Sequence, residues 1–182
     1  MLDRRSIRLP SYDYSQRGAY FVTIVTANRR LFLGSIRNDH VTLSPFGKIV
    51  QTTLSELPRY YPRLSLDASV IMPNHVHAVL VLENALGDDL VGRTDLKSAP
   101  TSKPARPISE IVRAFKAFST REVNTFRGAP GSPLWQRNYY EHVIRNDADL
   151  NKIREYIHYN PTKWSQDQEN PYRLPPPVYG QI

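Results

Sequence analysis

Apolar residues fall along this chain in runs of two periods. "AYFVTIVTA" (residues 19–27) mixes aromatic and β-branched residues over a strand length, as do "LSLDASVIM" and "HVHAVLVLE" on either side of Pro73 and Asn74, a turn signal. The first run predicts a central strand and the other two an antiparallel hairpin. Helical spacing appears in "SPFGKIVQTTLSEL", where Phe46, Ile49, Val50, Leu54 and Leu57 share a face, Ser44 is the cap, Pro45 the first residue and Pro58 the stop. A second helix is predicted over 108–126, with Ile108, Ile111, Val112, Phe115 and Phe118 inward, ended by "GAPGSP". "LWQRNYYEHVIR" reads as a strand, and "NDADLNKIREYIHYN" as a third helix capped by Asn146 or Asp147 and closed before Pro161.

The order strand, helix, strand, strand, helix, strand, helix predicts an α+β fold. Its natural layout is ferredoxin-like (βαββαβ), an antiparallel sheet with the helices packed on one face. Residues 1–182 read as one domain. Its appendages are a basic N-terminal arm (1–18), a mobile internal loop (84–107) rich in Gly, Asp, Ser, Lys and Pro, and a proline-rich tail (165–182) expected to lie extended on the surface.

Composition narrows the chemistry. There is no cysteine, which excludes disulfides, thiolate zinc sites and a cysteine nucleophile. No stretch approaches the roughly 20 apolar residues of a membrane span, so a cytoplasmic location is expected. The net charge is +7, and in the first thirty residues Arg4, Arg5, Arg8, Arg17, Arg29 and Arg30 meet only Asp3 and Asp13. Together with eleven tyrosines and two tryptophans, that excess suits a nucleic-acid partner, although a solvated basic face would look the same.

The candidate chemistry starts at "PNHVH". Residues i and i+2 of a strand point the same way, about 6.6 Å apart. His75 and His77 therefore share a face, opposite Val76, Ala78, Leu80 and Leu82, and imidazoles so placed can converge on one cation. Two ligands are too few, and an H-x-H in a strand is as readily structural.

The third helix offers more. With Ile153 as the zero of a wheel at about 100° per residue, Ile157 and Leu150 fall near +40° and +60°, Asn160 near −20° and Tyr156 near −60°. Tyr156 and Asn160 thus flank the buried stripe and can present a phenol and an amide to one point on the sheet. The wheel turns His158 and Tyr159 away. In "LWQRNYYEH", strict alternation puts Trp135, Arg137, Tyr139 and Glu141 on one face and Gln136, Tyr140 and His142 on the other, without deciding which set packs.

"PNHVH", "LWQRNYYEHVIRN" and "LNKIREYIHYNP", in this order and separation, resemble the HUH-type single-tyrosine transposases (IS200-like), particularly the branch associated with repetitive extragenic palindromic (REP) sequences. The resemblance spans about residues 19–164. It implies a ferredoxin-like fold and a divalent metal, Mg²⁺ or Mn²⁺, held by His75, His77 and Asn160. It also implies Tyr156 as the catalytic nucleophile, cleavage and strand transfer of single-stranded or hairpin DNA, and a 5′-phosphotyrosine intermediate. Arg4, Arg5, Arg29, Arg30, Arg113, Lys116, Arg121, Gln136, Arg137 and His142 are the candidate DNA contacts. Related enzymes can take the tyrosine from a partner subunit, so monomer and homodimer both remain open. The rival expectations are a non-enzymatic nucleic-acid-binding module on the same sheet, a relaxase or replication-initiator nickase, and a metallohydrolase; the last is disfavoured because no further histidine or carboxylate motif accompanies the pair.

Overall fold

The computed structural model describes residues 13–83 and 106–173. Six strands and three helices follow in the order β1 (Gly18–Val25), β2 (Gly34–Arg37), β3 (His40–Leu43), α1 (Pro45–Tyr60), β4 (Leu64–Ile71), β5 (His75–Leu82), α2 (Ile108–Arg127), β6 (Tyr140–Ile144) and α3 (Asp147–Tyr159). The main sheet has the order β4-β5-β1-β6, and every neighbouring pair is antiparallel. Apart from the inserted β2–β3 hairpin, this is the expected ferredoxin-like α+β arrangement. Among the described residues no helix is long and apolar enough to cross a membrane. Arg4 and Arg5 lie outside the described residues, as do 1–12 of the arm, 84–105 of the loop and 174–182 of the tail.

The helices cover both faces of the sheet rather than one. Tyr20, Val22 and Ile24 of β1 and Val76, Ala78, Leu80 and Leu82 of β5 pack against Val50, Leu54 and Leu57 of α1 and Ile108, Ile111, Val112 and Phe115 of α2. The opposite parity, Phe21, Val79 and Ile144, packs against Ile157, Leu150 and Ile153 of α3. The cause is in the strands: beyond His77, β5 is apolar at every position, so each face must be withdrawn from water. This puts α3 on the face that carries His75 and His77.

Smaller differences have local causes. α1 starts as expected, with Ser44 Oγ accepting the Gly47 N–H at 3.0 Å, but it continues past Pro58 to Tyr60. A proline in the last turn forfeits one hydrogen bond, and the Tyr61 N–H closes the end on the Leu57 carbonyl. Phe118 is not inward; it lies at the rim of α2 beside the Tyr60 ring and under Arg121. The β2–β3 hairpin adds to the expected order, and its turn residues Asn38 and Asp39, at φ 48° and 63°, are types that accept the left-handed conformation of a two-residue turn. The 134–145 segment is not one strand. Trp135 makes an isolated bridge to Thr26, the chain leaves the sheet, and pairing with β1 resumes at Tyr140. Trp135 and Tyr139 join the α1/α2 side, which leaves Tyr140 and His142 on the α3 side.

Gly47 marks a close approach: a Cβ there would sit 1.9 Å from the Leu33 carbonyl oxygen. In an open helix, Gly→Ala would stabilise by about 1 kcal/mol. Here the sign reverses, and Gly47→Ala is expected to destabilise by roughly 1–3 kcal/mol through overpacking. Urea unfolding should show a lower midpoint at unchanged slope.

Candidate active site

β5 begins at the floor of the site. His75 and His77 are 0% and 3% exposed and sit opposite Val25 and Thr23 in the β1–β5 ladder. Asn74, which precedes them and is itself fully buried, donates its amide hydrogens to the carbonyls of Arg29 (3.2 Å) and Glu169 (2.6 Å). That turns Asn74 Oδ1 toward His75 Nδ1 at 2.9 Å. An amide oxygen only accepts, so His75 Nδ1 carries the proton and its Nε2 presents a lone pair. That lone pair faces His77 Nε2 at 3.0 Å, while Thr23 Oγ1 holds His77 Nδ1 at 2.8 Å.

α3 supplies the roof. Asn146 caps it, its side chain accepting the Asp149 N–H at 2.9 Å, and Ile157 anchors it on Phe21 and Val79. Tyr156 stands at the edge of this stripe, with its ring edge-on to Phe21 and its hydroxyl 3.2 Å from His77 Nε2 of the same chain. One turn on, Asn160 is 2% exposed at the end of the helix. A 3₁₀ turn (Pro161–Gln166) then doubles the chain back, and Asp167 Oδ2 accepts from Asn160 Nδ2 at 3.2 Å. Asn160 Oδ1 is left buried with no hydrogen-bond partner.

The electrostatics follow from burial. Desolvation pushes His75 from 6.5 down to about 4, against the opposing pull of the Asp167 carboxylate, and pushes His77 well down too, with His75 adding to the effect. Both imidazoles are neutral at pH 7. Burial, and then the Asp167 charge, raises Tyr156 above the usual phenol value.

Neutral imidazoles, an orphaned amide oxygen and a carboxylate converge in one place, the kinds of donor a divalent cation takes. His75, His77 and Asp167 offer ligand atoms that all lie within 4.8 Å of one another. Two nitrogens at right angles, each about 2.1 Å from a cation, would be about 3.0 Å apart, and the two Nε2 atoms are 3.0 Å apart. The donors therefore fit a divalent cation. Beside them opens a cleft of about 570 Å³, lined by Phe21, Thr23, His77, Tyr140, Tyr156, Asn160, Lys163 and Gln166 to Glu169.

The structure thus brings His75, His77, Tyr156 and Asn160 together, and the other candidates scatter around them. Arg29 lies near the cleft, paired with Glu169 at 2.9 Å, and Arg30 rests over the Phe32 ring. His142 faces α3 and meets Asp149 at 3.0 Å. Arg113, Lys116 and Arg121 belong to α2, across the sheet from the histidines. Lys116 is engaged internally: its ammonium donates to the carbonyls of Gln136 (2.6 Å) and Arg137 (2.8 Å), and burial lowers its pKa. The Gln136 N–H pairs with the Val25 carbonyl, and Arg137 is exposed. Sequence patterns did not single out Thr23, Asn74 or Asp167. Thr23 is a polar residue inside an apolar strand and Asn74 adjoins the histidines, which are usable signals. Asp167 carries none, because only the 3₁₀ turn brings it back.

No family model matches the chain. An uncharacterised protein of Haemophilus influenzae is 37% identical over 167 residues, covering 91% of this chain and 92% of its own length. A second protein of that organism, named "Putative REP-associated tyrosine transposase", is 28% identical over 152 residues, covering 83% of this chain and 74% of its own. Among solved structures, a REP-associated tyrosine transposase bound to a REP hairpin superposes with a TM-score of 0.57 at 20% identity, covering 97% of this chain and 94% of that one, a likeness of fold. With "PNHVH" and "YIHYN" meeting over one cleft, the chain shares the fold of a REP-associated tyrosine transposase and is similar over most of its length to a relative so named.

Proposed function

We propose that this protein is an HUH-type tyrosine transposase that cleaves and rejoins single-stranded or hairpin DNA through a covalent tyrosine intermediate, with Tyr156 as nucleophile and His75, His77 and Asn160 as ligands of a divalent cation, Mg²⁺ or Mn²⁺. The observation that carries the reading is the Tyr156 hydroxyl, 3.2 Å from His77 Nε2 at the wall of an open cleft. The REP hairpin bound by the neighbouring structure's protein suggests the substrate class.

A divalent cation bound there supplies a Lewis acid that stabilises charge building on the oxygens of the scissile phosphate. The chain's own groups do the rest. Tyr156 Oη gives up its proton to solvent and attacks the phosphorus in line, the Tyr–O–P bond forms, and the P–O3′ bond breaks to leave a 3′-oxygen that takes up a proton from solvent. Attack by a 3′-hydroxyl on the phosphotyrosine reverses the sequence, frees Tyr156 and joins strands without a nucleotide cofactor. His75 is held as the Nδ1–H tautomer by Asn74, which keeps its Nε2 available as a donor. Exposed Tyr140 offers an aromatic face to unpaired bases, and Lys163 a cation to the backbone.

Incubating the protein with hairpin DNA and Mn²⁺ should give a covalent protein–DNA adduct on a denaturing gel. Tyr156→Phe is expected to reduce that adduct at least about a thousandfold while leaving non-covalent binding within a few fold. No wild-type adduct on any palindromic substrate, or an adduct with Tyr156→Phe, would sink the proposal; an unchanged Tyr156→Phe protein is what a mere binding module predicts.

The donor pair also predicts a pH dependence for the metal-free protein. Unfolded, each histidine titrates near 6.5; folded, His75 titrates near 4. Below 6.5 the unfolded chain binds more protons, so stability is lost as the pH falls from about 6.5 toward about 4. Urea midpoints in a chelator should be level from pH 7 to 8 and decline through that window, and His75→Gln should decline less from its own value at pH 7.

A further inference from the structure

Asp167 has no part in the reaction just described, yet its side chain is only 7% exposed and lies in the centre of the site. Its Oδ2 is 3.2 Å from Asn160 Nδ2 and 4.0 Å from His75 Nε2, and its Oδ1 accepts the Glu169 N–H at 2.6 Å. The segment that carries it is tied to the residue before β5 and to the turn after β1, where Asn74 donates to the Glu169 carbonyl and Arg29 pairs with the Glu169 carboxylate, and it is closed on itself by Asn170 donating to the Trp164 carbonyl. A carboxylate so withdrawn from water without a charge partner is costly. Among the described residues no Lys or Arg lies within ion-pair distance of Asp167, and His75 Nε2 stands 4.0 Å from it.

Resting on the proposed metal site, we infer that Asp167 is a fourth protein ligand of the same divalent cation, giving a donor set of two imidazole nitrogens, one amide oxygen and one carboxylate oxygen. Three features support this. The unpartnered Asn160 Oδ1 shows where a cation is wanted, and the Asn160–Asp167 hydrogen bond turns that oxygen, rather than the amide nitrogen, inward. A carboxylate beside Tyr156 opposes formation of the tyrosinate unless a cation absorbs its charge. A hard anionic oxygen also shifts a site of two imidazoles and an amide toward Mg²⁺ and Mn²⁺.

The test is Mn²⁺ binding by the full chain, followed by calorimetry and by the loss of the free-ion electron paramagnetic resonance signal. Asp167→Asn keeps an oxygen that can accept from Asn160 and removes only the charge. It is expected to weaken Mn²⁺ binding by at least about 10- to 100-fold, with a thermal midpoint at or above that of the metal-free wild type. Binding within twofold of wild type would overturn the inference. His77→Ala separates the two levels: if wild type binds no Mn²⁺, or His77→Ala binds as well as wild type, the metal site itself fails, whereas loss in His77→Ala with none in Asp167→Asn removes Asp167 alone.

Discussion

Two imidazole nitrogens buried 3.0 Å apart set the terms for the rest of this structure. Once Asn74 fixes the proton on His75 Nδ1, the facing Nε2 lone pair needs a hydrogen or a cation opposite it. The surroundings keep the pair neutral and in place: Thr23 on the paired strand, the Phe21 ring stacked 5.3 Å from His77, and Trp164 beyond His75. Burial depresses both histidines, so at neutral pH both imidazoles are uncharged and a metal need not compete with imidazolium formation to bind.

The same strand explains why the site is open on one side only. β5 is apolar on both faces past His77, and each face is covered differently. Two long helices seal the Val76 side into a continuous core. On the His77 side, thirteen-residue α3 rests on a small cluster through Ile157, aided by the Arg154–Asp67 ion pair to β4. An exposed ion pair adds about 0–1 kcal/mol, so α3 is held chiefly by that apolar cluster. The thinner cover leaves room for a cleft beside the histidines, with the tyrosine at its edge.

How much of this was legible depended on whether the signal was local. The shared face of His75 and His77 follows from strand alternation, and the meeting of Tyr156 with Asn160 from helical spacing. α3 lies on the histidine face because β5 is apolar at both parities, a pattern visible in "HAVLVL" but read as a one-faced sheet. Asp167 is different in kind. It lies in a stretch whose prolines and polar residues suggested an extended tail, and its arrival at His75 depends on the turn after Pro161, on Asn74 and on Arg29, contacts spread over some 140 residues of sequence. Lys116 shows the converse: its charge was legible, but the two carbonyls that capture it were not.

One ring nitrogen carries either a proton or a lone pair, and His77 Nε2 has two neighbours, His75 Nε2 at 3.0 Å and the Tyr156 hydroxyl at 3.2 Å. With His75 Nε2 presenting a lone pair, the metal-free His77 carries its proton on Nε2 and donates it to His75, which leaves its Nδ1 to accept the Thr23 hydroxyl. Coordination through His77 Nε2 needs the lone pair there, so a bound cation would move that proton to Nδ1 and turn Thr23 Oγ1 into its acceptor. It would also offset the Asp167 charge, which together with burial raises the pKa of Tyr156. In the proposed reaction the cation and the tyrosine are therefore linked through the His77 imidazole that both adjoin.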